Sequence, residues 1–174
     1  ALWRPGLDRP KSGVLRLPKT GEDIGRFIFS YANWLTPFLN LERPRFVVYE
    51  APFVGERTSQ EVARKLFALS ARTEEACYRM KADDKADVRC VETYNQSVRS
   101  HFLGLNTRKK SARLPGEELR DTLKRLTVET CASKGWPVDD DNEADALAVL
   151  DYAAHTLRAS IDVPWNCAPA GPDQ

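Results

Sequence analysis

"RFVVYE", residues 45–50, is the stretch on which the fold turns. Four apolar or aromatic residues run in succession between Pro44 and the Ala51-Pro52 step. That pattern fits a short strand buried in a sheet that is covered on both faces. Its last residue is a carboxylate, Glu50. In open α/β sheets the chemistry sits beyond the carboxyl ends of the strands, although a strand-end Glu that merely faces water is the commoner arrangement.

Working outward, helices flank this strand on both sides. Upstream, "GEDIGRFIFSYANWLTPFLN" sets Ile24, Phe27, Ile28, Tyr31, Trp34, Leu35, Phe38 and Leu39 at helical spacing, a core-facing stripe. Downstream, "SQEVARKLFALSARTEEACYRM" starts at Ser59, a natural N-cap, and aligns Val62, Leu66, Leu69, Thr73, Ala76 and Met80. "KADDKAD" reads as a charged turn and "VRCVETY" as a second strand. "NQSVRSHFLG" reads as a short helix capped by Asn95 and closed by Gly104. A final helix is expected over residues 143–158, with Leu147, Leu150, Ala154 and Leu157 inward. At the amino end, "ALWR" and "GVLRL" around a turn-rich spacer suggest a hairpin. Alternating helices and strands give an α/β class with a mixed sheet. Residues 1–160 are expected to form one domain, and 161–174, rich in Pro and Gly, a loosely held tail.

The composition narrows the function classes. The chain has 174 residues, enough for a sizeable core, and a net charge of +1, so its total charge points to no polyanionic partner. The distribution is more informative. From Arg99 to Lys134 there are nine Lys or Arg against four Asp or Glu, 9 − 4 = 5 in excess. Cys77, Cys90, Cys131 and Cys167 form no CxxC pair, and only His101 and His155 are present to complete a zinc site. Reduced thiols in a cytoplasmic protein are the simplest expectation. No run approaches the ~18 apolar residues of a membrane span. The chain opens on Ala1 without an apolar signal core, and we expect an upstream segment to have been removed.

The second unusual feature is "DDDNEADALAVLDYA". Five acids, Asp139, Asp140, Asp141, Glu143 and Asp145, lie within seven residues and run into an apolar helix. Capping and the helix dipole account for the first three. They account less well for Asp145, which borders the buried stripe. Asp141, four residues earlier, and Asn142, three earlier, share its face.

Taken together, these segments resemble the RuvC-type Holliday-junction resolvases of the RNase H-like nuclease superfamily, in the branch carried by phages and prophages. "RPRFVVYEAPF" is similar to the family's second acidic strand. "VETYNQSVRSHFLGLNTRKK" is similar to its strand, short helix and basic loop, and "DDDNEADALAVLDYA" to its carboxyl-terminal acidic helix. The resemblance implies an RNase H-like mixed sheet flanked by helices and a metal-dependent endonuclease acting on branched DNA as a homodimer. It requires neither a membrane nor a small-molecule cofactor. The implied cofactor is a pair of Mg²⁺ or Mn²⁺ ions, hard cations that take carboxylate oxygen rather than imidazole or thiolate.

By position, the resemblance makes Glu50 and Asp145 metal ligands. Asn142 stands where the family has a second helix acid, so Asn142 or Asp141 completes the helix set. Lys110 matches a lysine near the scissile phosphate and Arg99 a basic residue of the short helix. Arg108, Lys109 and Arg113 are suited to further phosphate contacts. Phe53 matches an aromatic that stacks near the junction centre. Helix 59–80, with Leu66, Phe67 and Leu69, matches the segment that pairs subunits, as a two-fold junction requires. The family's first acid lies on a strand ahead of "ALWR". The expectation is therefore a longer parent protein and weak or absent cleavage by residues 1–174 alone. A non-catalytic module that binds branched DNA or a protein is the alternative.

Overall fold

The computed structural model describes residues 1–4, 6–21, 23–84, 86–104 and 114–157. Among them, five helices and a two-stranded parallel sheet make a mixed α/β chain. The elements run α1 (Ile24–Glu42), β1 (Phe46–Glu50), α2 (Gln60–Asp84), β2 (Arg89–Thr93), α3 (Asn95–Phe102), α4 (Leu119–Ser133) and α5 (Asp141–Thr156). The chain divides into two compact units, one from Leu15–Thr93 and the other from Ala1–Val14 with the chain from Tyr94 onward.

The Leu15–Thr93 unit packs α1 and α2 against the β1–β2 pair. Asp23 starts α1 by accepting from the Arg26 N–H at 3.0 Å. Pro37 lies inside this helix and removes one ladder donor. The helix ends where Arg43 turns left-handed at φ 46°, with Pro44 blocking continuation. Leu35 and Leu39 of α1 meet Cys77 and Met80 of α2, and Val88 completes this core. Tyr31, Trp34 and Phe38 stack in sequence along α1, with ring centroids 6.2 and 5.0 Å apart. Trp34 nonetheless lies on the exposed side of the stripe. Tyr31 reaches across to Thr73, hydroxyl to hydroxyl, at 2.8 Å.

β1 and β2 are parallel, with Val47 opposite Cys90 and Glu50 opposite Thr93. The connection between them is α2, as a parallel pair demands. Residues 46–49 of β1 are half-buried, so this strand is not sealed on both faces as its composition suggests. The described sheet is parallel throughout, whereas a mixed one was expected. Ser59 caps α2 as expected, accepting from the Val62 N–H at 3.3 Å. The helix then continues through "KADD" to Asp84, with Lys81 placing a positive charge in its last turn, where the helix dipole favours one.

The other unit has its own core: Val98 and Phe102 of α3, Cys131 of α4, Trp136, and Ala144, Leu147 and Ala148 of α5. Small residues at 144 and 148 let α5 approach its neighbours closely. α3 begins at Asn95 with Tyr94 in the cap position and no side-chain cap, so Asn95 is its first residue rather than its cap. Gly104 follows at φ 78°, a conformation that favours glycine. At the amino end, a single antiparallel bridge joins Leu2 and Lys11, with hydrogen bonds of 2.7 and 2.8 Å, in place of a two-stranded hairpin. The segment 13–17 forms no strand, since "GVLRL" has no partner with which to ladder among the described residues.

Candidate functional site

In the Leu15–Thr93 unit, Glu50 closes β1 and is exposed. The ladder continues one step past it, through Ala51 N–H to the Thr93 carbonyl at 2.7 Å. The strand end is therefore held, and the carboxylate sits at the carboxyl edge of a parallel pair. One residue back, Tyr49 donates its hydroxyl to Glu74 of α2 in a short bond. Burial first, then this bond and the Glu74 charge, push the phenol well above its ordinary range. Phe53 is 80% exposed. Its ring overlies Gly55, where a Cβ would come within 3.5 Å of the ring edge. That loop is closed by Gly55 and Thr58, which exchange two bonds: Gly55 N–H to the Thr58 hydroxyl at 3.0 Å, and Thr58 N–H to the Gly55 carbonyl at 2.9 Å.

In the other unit, the acids at the head of α5 have separate tasks. Asp140 is the N-cap, accepting from the Glu143 N–H at 2.9 Å. Glu143 folds back to accept from the Asp139 N–H at 2.8 Å, so the Asp140 and Glu143 side chains close a box around two amide donors at the helix start, those of Glu143 and Asp139. This box starts α5 at Asp141, two residues earlier than its apolar pattern suggests. Asp141 is paired with Lys124 of α4 in a short contact. The Lys124 ammonium holds its carboxyl below the usual carboxylate range. Asn142 is exposed, its amide nitrogen 3.4 Å from Asp140 Oδ2.

Asp145 stands one turn further in, with its side chain about one-third exposed. Arg99 Nη2 of α3 is 3.9 Å away, at the outer limit of an ion pair. The Nε of Arg99 is buried with no hydrogen-bond partner among the described residues. The helix thus brings Arg99 and Asp145 together and engages Asp141 elsewhere. Lys110, Arg108, Lys109 and Arg113 lie outside the described residues, as do Cys167 and the tail 161–174.

Glu50 in one unit, and Asp145, Asp141 and Asn142 in the other, each offer the carboxylate or amide oxygen that hard cations take. Among the described residues, no three His, Cys, Asp or Glu side chains are grouped to hold a metal. At α5 the reason is visible in the cap, the fold-back and the lysine contact, which take up Asp140, Glu143 and Asp141.

One polar cluster was not anticipated from the sequence. Asp151, nearly buried in the middle of α5, accepts from His101 Nε2 of α3 at 3.0 Å and from Lys134 Nζ at 3.1 Å. Lys134 also lies over the rings of Phe102 and Trp136, at 5.6 and 5.1 Å. His155 lies 4.6 Å from the His101 ring, and Tyr152 meets that ring edge-on. A carboxylate set between Leu147 and Ala154 on an apolar face was the signal, because an acid there needs partners. α4 was legible only as a basic segment. Much of its charge is neutralised locally: Arg125 pairs with Glu117 and Glu129, each at 3.0 Å, and Lys124 with Asp141.

Compared with family models, curated proteins and solved structures, the chain matches none. Among the described residues no helix is long and apolar enough to cross a membrane.

Proposed function

We propose that this chain is an RNase H-like, metal-dependent endonuclease that acts on Holliday or other branched DNA junctions. The observation that carries the reading is Glu50: an exposed carboxylate at the carboxyl end of a parallel strand pair, followed three residues later by an aromatic ring in water. Glu50 and Asp145 would each offer carboxylate oxygen to a divalent ion, with Asn142 as the neutral member of the helix set. Asp141 would add to that set only on release from Lys124. When bound, Mg²⁺ or Mn²⁺ supplies neutralisation of charge on the attacking and leaving oxygens of the phosphodiester. Arg99 orients the Asp145 carboxylate and meets backbone phosphate, while Arg108, Lys109, Lys110 and Arg113 add salt-dependent contacts. Phe53 stacks on an unpaired base, a contact worth about 1–3 kcal/mol. The protein acts as a homodimer through α2, whose Phe67 is more than half exposed.

A second reading is a non-catalytic module that binds branched DNA. The Lys124–Asp141 pair supports it, because it leaves α5 with one fewer carboxylate for metal.

A labelled four-way junction and a linear duplex of the same sequence, incubated with Mg²⁺ or Mn²⁺, separate the readings. The wild-type chain is compared with Glu50→Gln and Asp145→Asn. The nuclease reading expects junction preferred over duplex in all three proteins, and ion-dependent cutting reduced on the order of 100-fold or more in both variants. Junction binding without cutting, together with a Mn²⁺ affinity that is the same in wild type, Glu50→Gln and Asp145→Asn, selects the second reading. Equal cutting by wild type and Glu50→Gln removes Glu50 from the metal site.

A further inference from the structure

The polar cluster between α3 and α5 takes no part in the proposed nuclease chemistry, and it contains both imidazoles of the chain, His101 and His155. An ionised carboxylate only accepts hydrogen bonds, so the 3.0 Å contact between His101 Nε2 and Asp151 Oδ2 places a proton on Nε2. Lys134 Nζ lies 3.1 Å from the other carboxylate oxygen and fixes the acceptor from its far side. In the neutral ring the lone pair is therefore on Nδ1. A histidine whose second nitrogen is held by a carboxylate is the form in which imidazole binds metal. Tyr152 meets the same ring edge-on, with centroids 5.7 Å apart, which restricts its rotation.

His155 stands one turn beyond Asp151 on α5, is exposed, and has its ring centroid 4.6 Å from that of His101. A transition ion about 2.0–2.1 Å from a ring nitrogen lies about 3.2 Å from the ring centroid. Two imidazoles on one ion thus have centroids about 4.5 Å apart at a right angle and about 5.2 Å apart at the tetrahedral angle. The observed spacing is close to the right-angled value, that of adjacent positions on a square-planar or octahedral ion. We propose that His101 and His155 bind one borderline transition ion of the Ni²⁺ or Cu²⁺ type, which clips α3 to α5. Exposure lets the His155 ring turn from its present 31° tilt to face the ion edge-on. Asp151 is a positioning residue that sets the His101 tautomer. No third His, Cys, Asp or Glu joins the pair among the described residues, so water completes the coordination. Mg²⁺ and Mn²⁺ favour oxygen donors, which separates this site by chemistry from the nuclease ligands.

The test titrates the untagged full chain with Ni²⁺ at neutral pH, by calorimetry and by NMR of the histidine ring protons. The expected result is one ion bound with micromolar Kd, both histidine rings broadened together by the paramagnetic ion, and no competition from millimolar Mg²⁺. His155→Gln, a change at an exposed position, should weaken binding about tenfold or more. Asp151→Asn should weaken it about 10–100-fold, with circular dichroism confirming that the variant is folded. Wild-type affinity in His155→Gln, broadening of one ring alone, or no binding below millimolar Ni²⁺ overturns the proposal, whatever the stability of Asp151→Asn. A folded Asp151→Asn that binds as tightly as wild type removes the positioning role.

Discussion

Replacing Asp151 with Asn tests whether the polar cluster on α5 is a structural clamp. The carboxylate is 11% exposed and receives one donor on each oxygen, from His101 and Lys134. A hydrogen bond to a charged group contributes about 1.5–3 kcal/mol, and breaking a fully buried ion pair costs about 3–5 kcal/mol. Two features reduce that figure. His101 and Lys134 remain 25% and 29% exposed, so water reaches both, and Lys134 keeps its contact with the Phe102 and Trp136 rings. Asn also retains the shape and one acceptor. The expected loss is about 2 kcal/mol, or about 4–8 °C in melting temperature at the usual scaling for a chain of this size. Urea titration followed by circular dichroism measures the total. Hydrogen exchange at the α5 amides shows whether the loss belongs to this unit. The double replacement Lys134→Met with Asp151→Leu leaves neither charge stranded and should recover at least half of the loss. A change below about 0.5 kcal/mol for Asp151→Asn, within the range of ordinary surface substitutions, would refute the clamp.

Other perturbations probe other elements. Asp140→Ala removes the α5 cap and should cost about 1 kcal/mol, measured by urea unfolding. Tyr31→Phe deletes the bond to Thr73 and should cost about 1 kcal/mol, with no change in the α5 amides. Glu117 has its carboxyl lowered to about 2 from 4.5, first by the Arg125 guanidinium and then by the Leu114 N–H. A depressed acid contributes stability above its unfolded value and loses it as pH falls. Acid unfolding of wild type between pH 4.5 and 2 should therefore be steeper than that of Glu117→Gln, as followed by circular dichroism. Leu147→Ala empties the centre of the second core, where the side chain is 1% exposed, and should cost about 2–5 kcal/mol.

Local signals were legible where they decide local structure. The apolar run before Glu50, the stripe of α1, the Ser59 cap and the "VRCVETY" strand all describe backbone choices made within a few residues. Glu50 at a strand end and Asp145 one turn into a helix were legible for the same reason. Side-chain partnerships across elements were not. Nothing in "DDDNEAD" shows that Asp141 meets Lys124 seventeen residues upstream, or that Glu143 turns back to an amide, since both depend on how α4 and α5 pack. The burial of β1 was overestimated because four apolar residues look alike whether one face or two are covered. The run "GVLRL" alternates like a strand, but a strand needs a neighbour, and its hydrogen-bonding edge has none among the described residues.

The division of the chain also bears on its birth at the ribosome. The Leu15–Thr93 unit is contiguous and has every residue it needs once Thr93 has emerged. The other unit opens with Ala1–Val14 yet cannot close its core until Leu147 and Ala148 are made. Translation therefore leaves residues 1–14 waiting while the intervening unit folds, and a stall before α5 would strand α3 and α4 with their apolar faces uncovered.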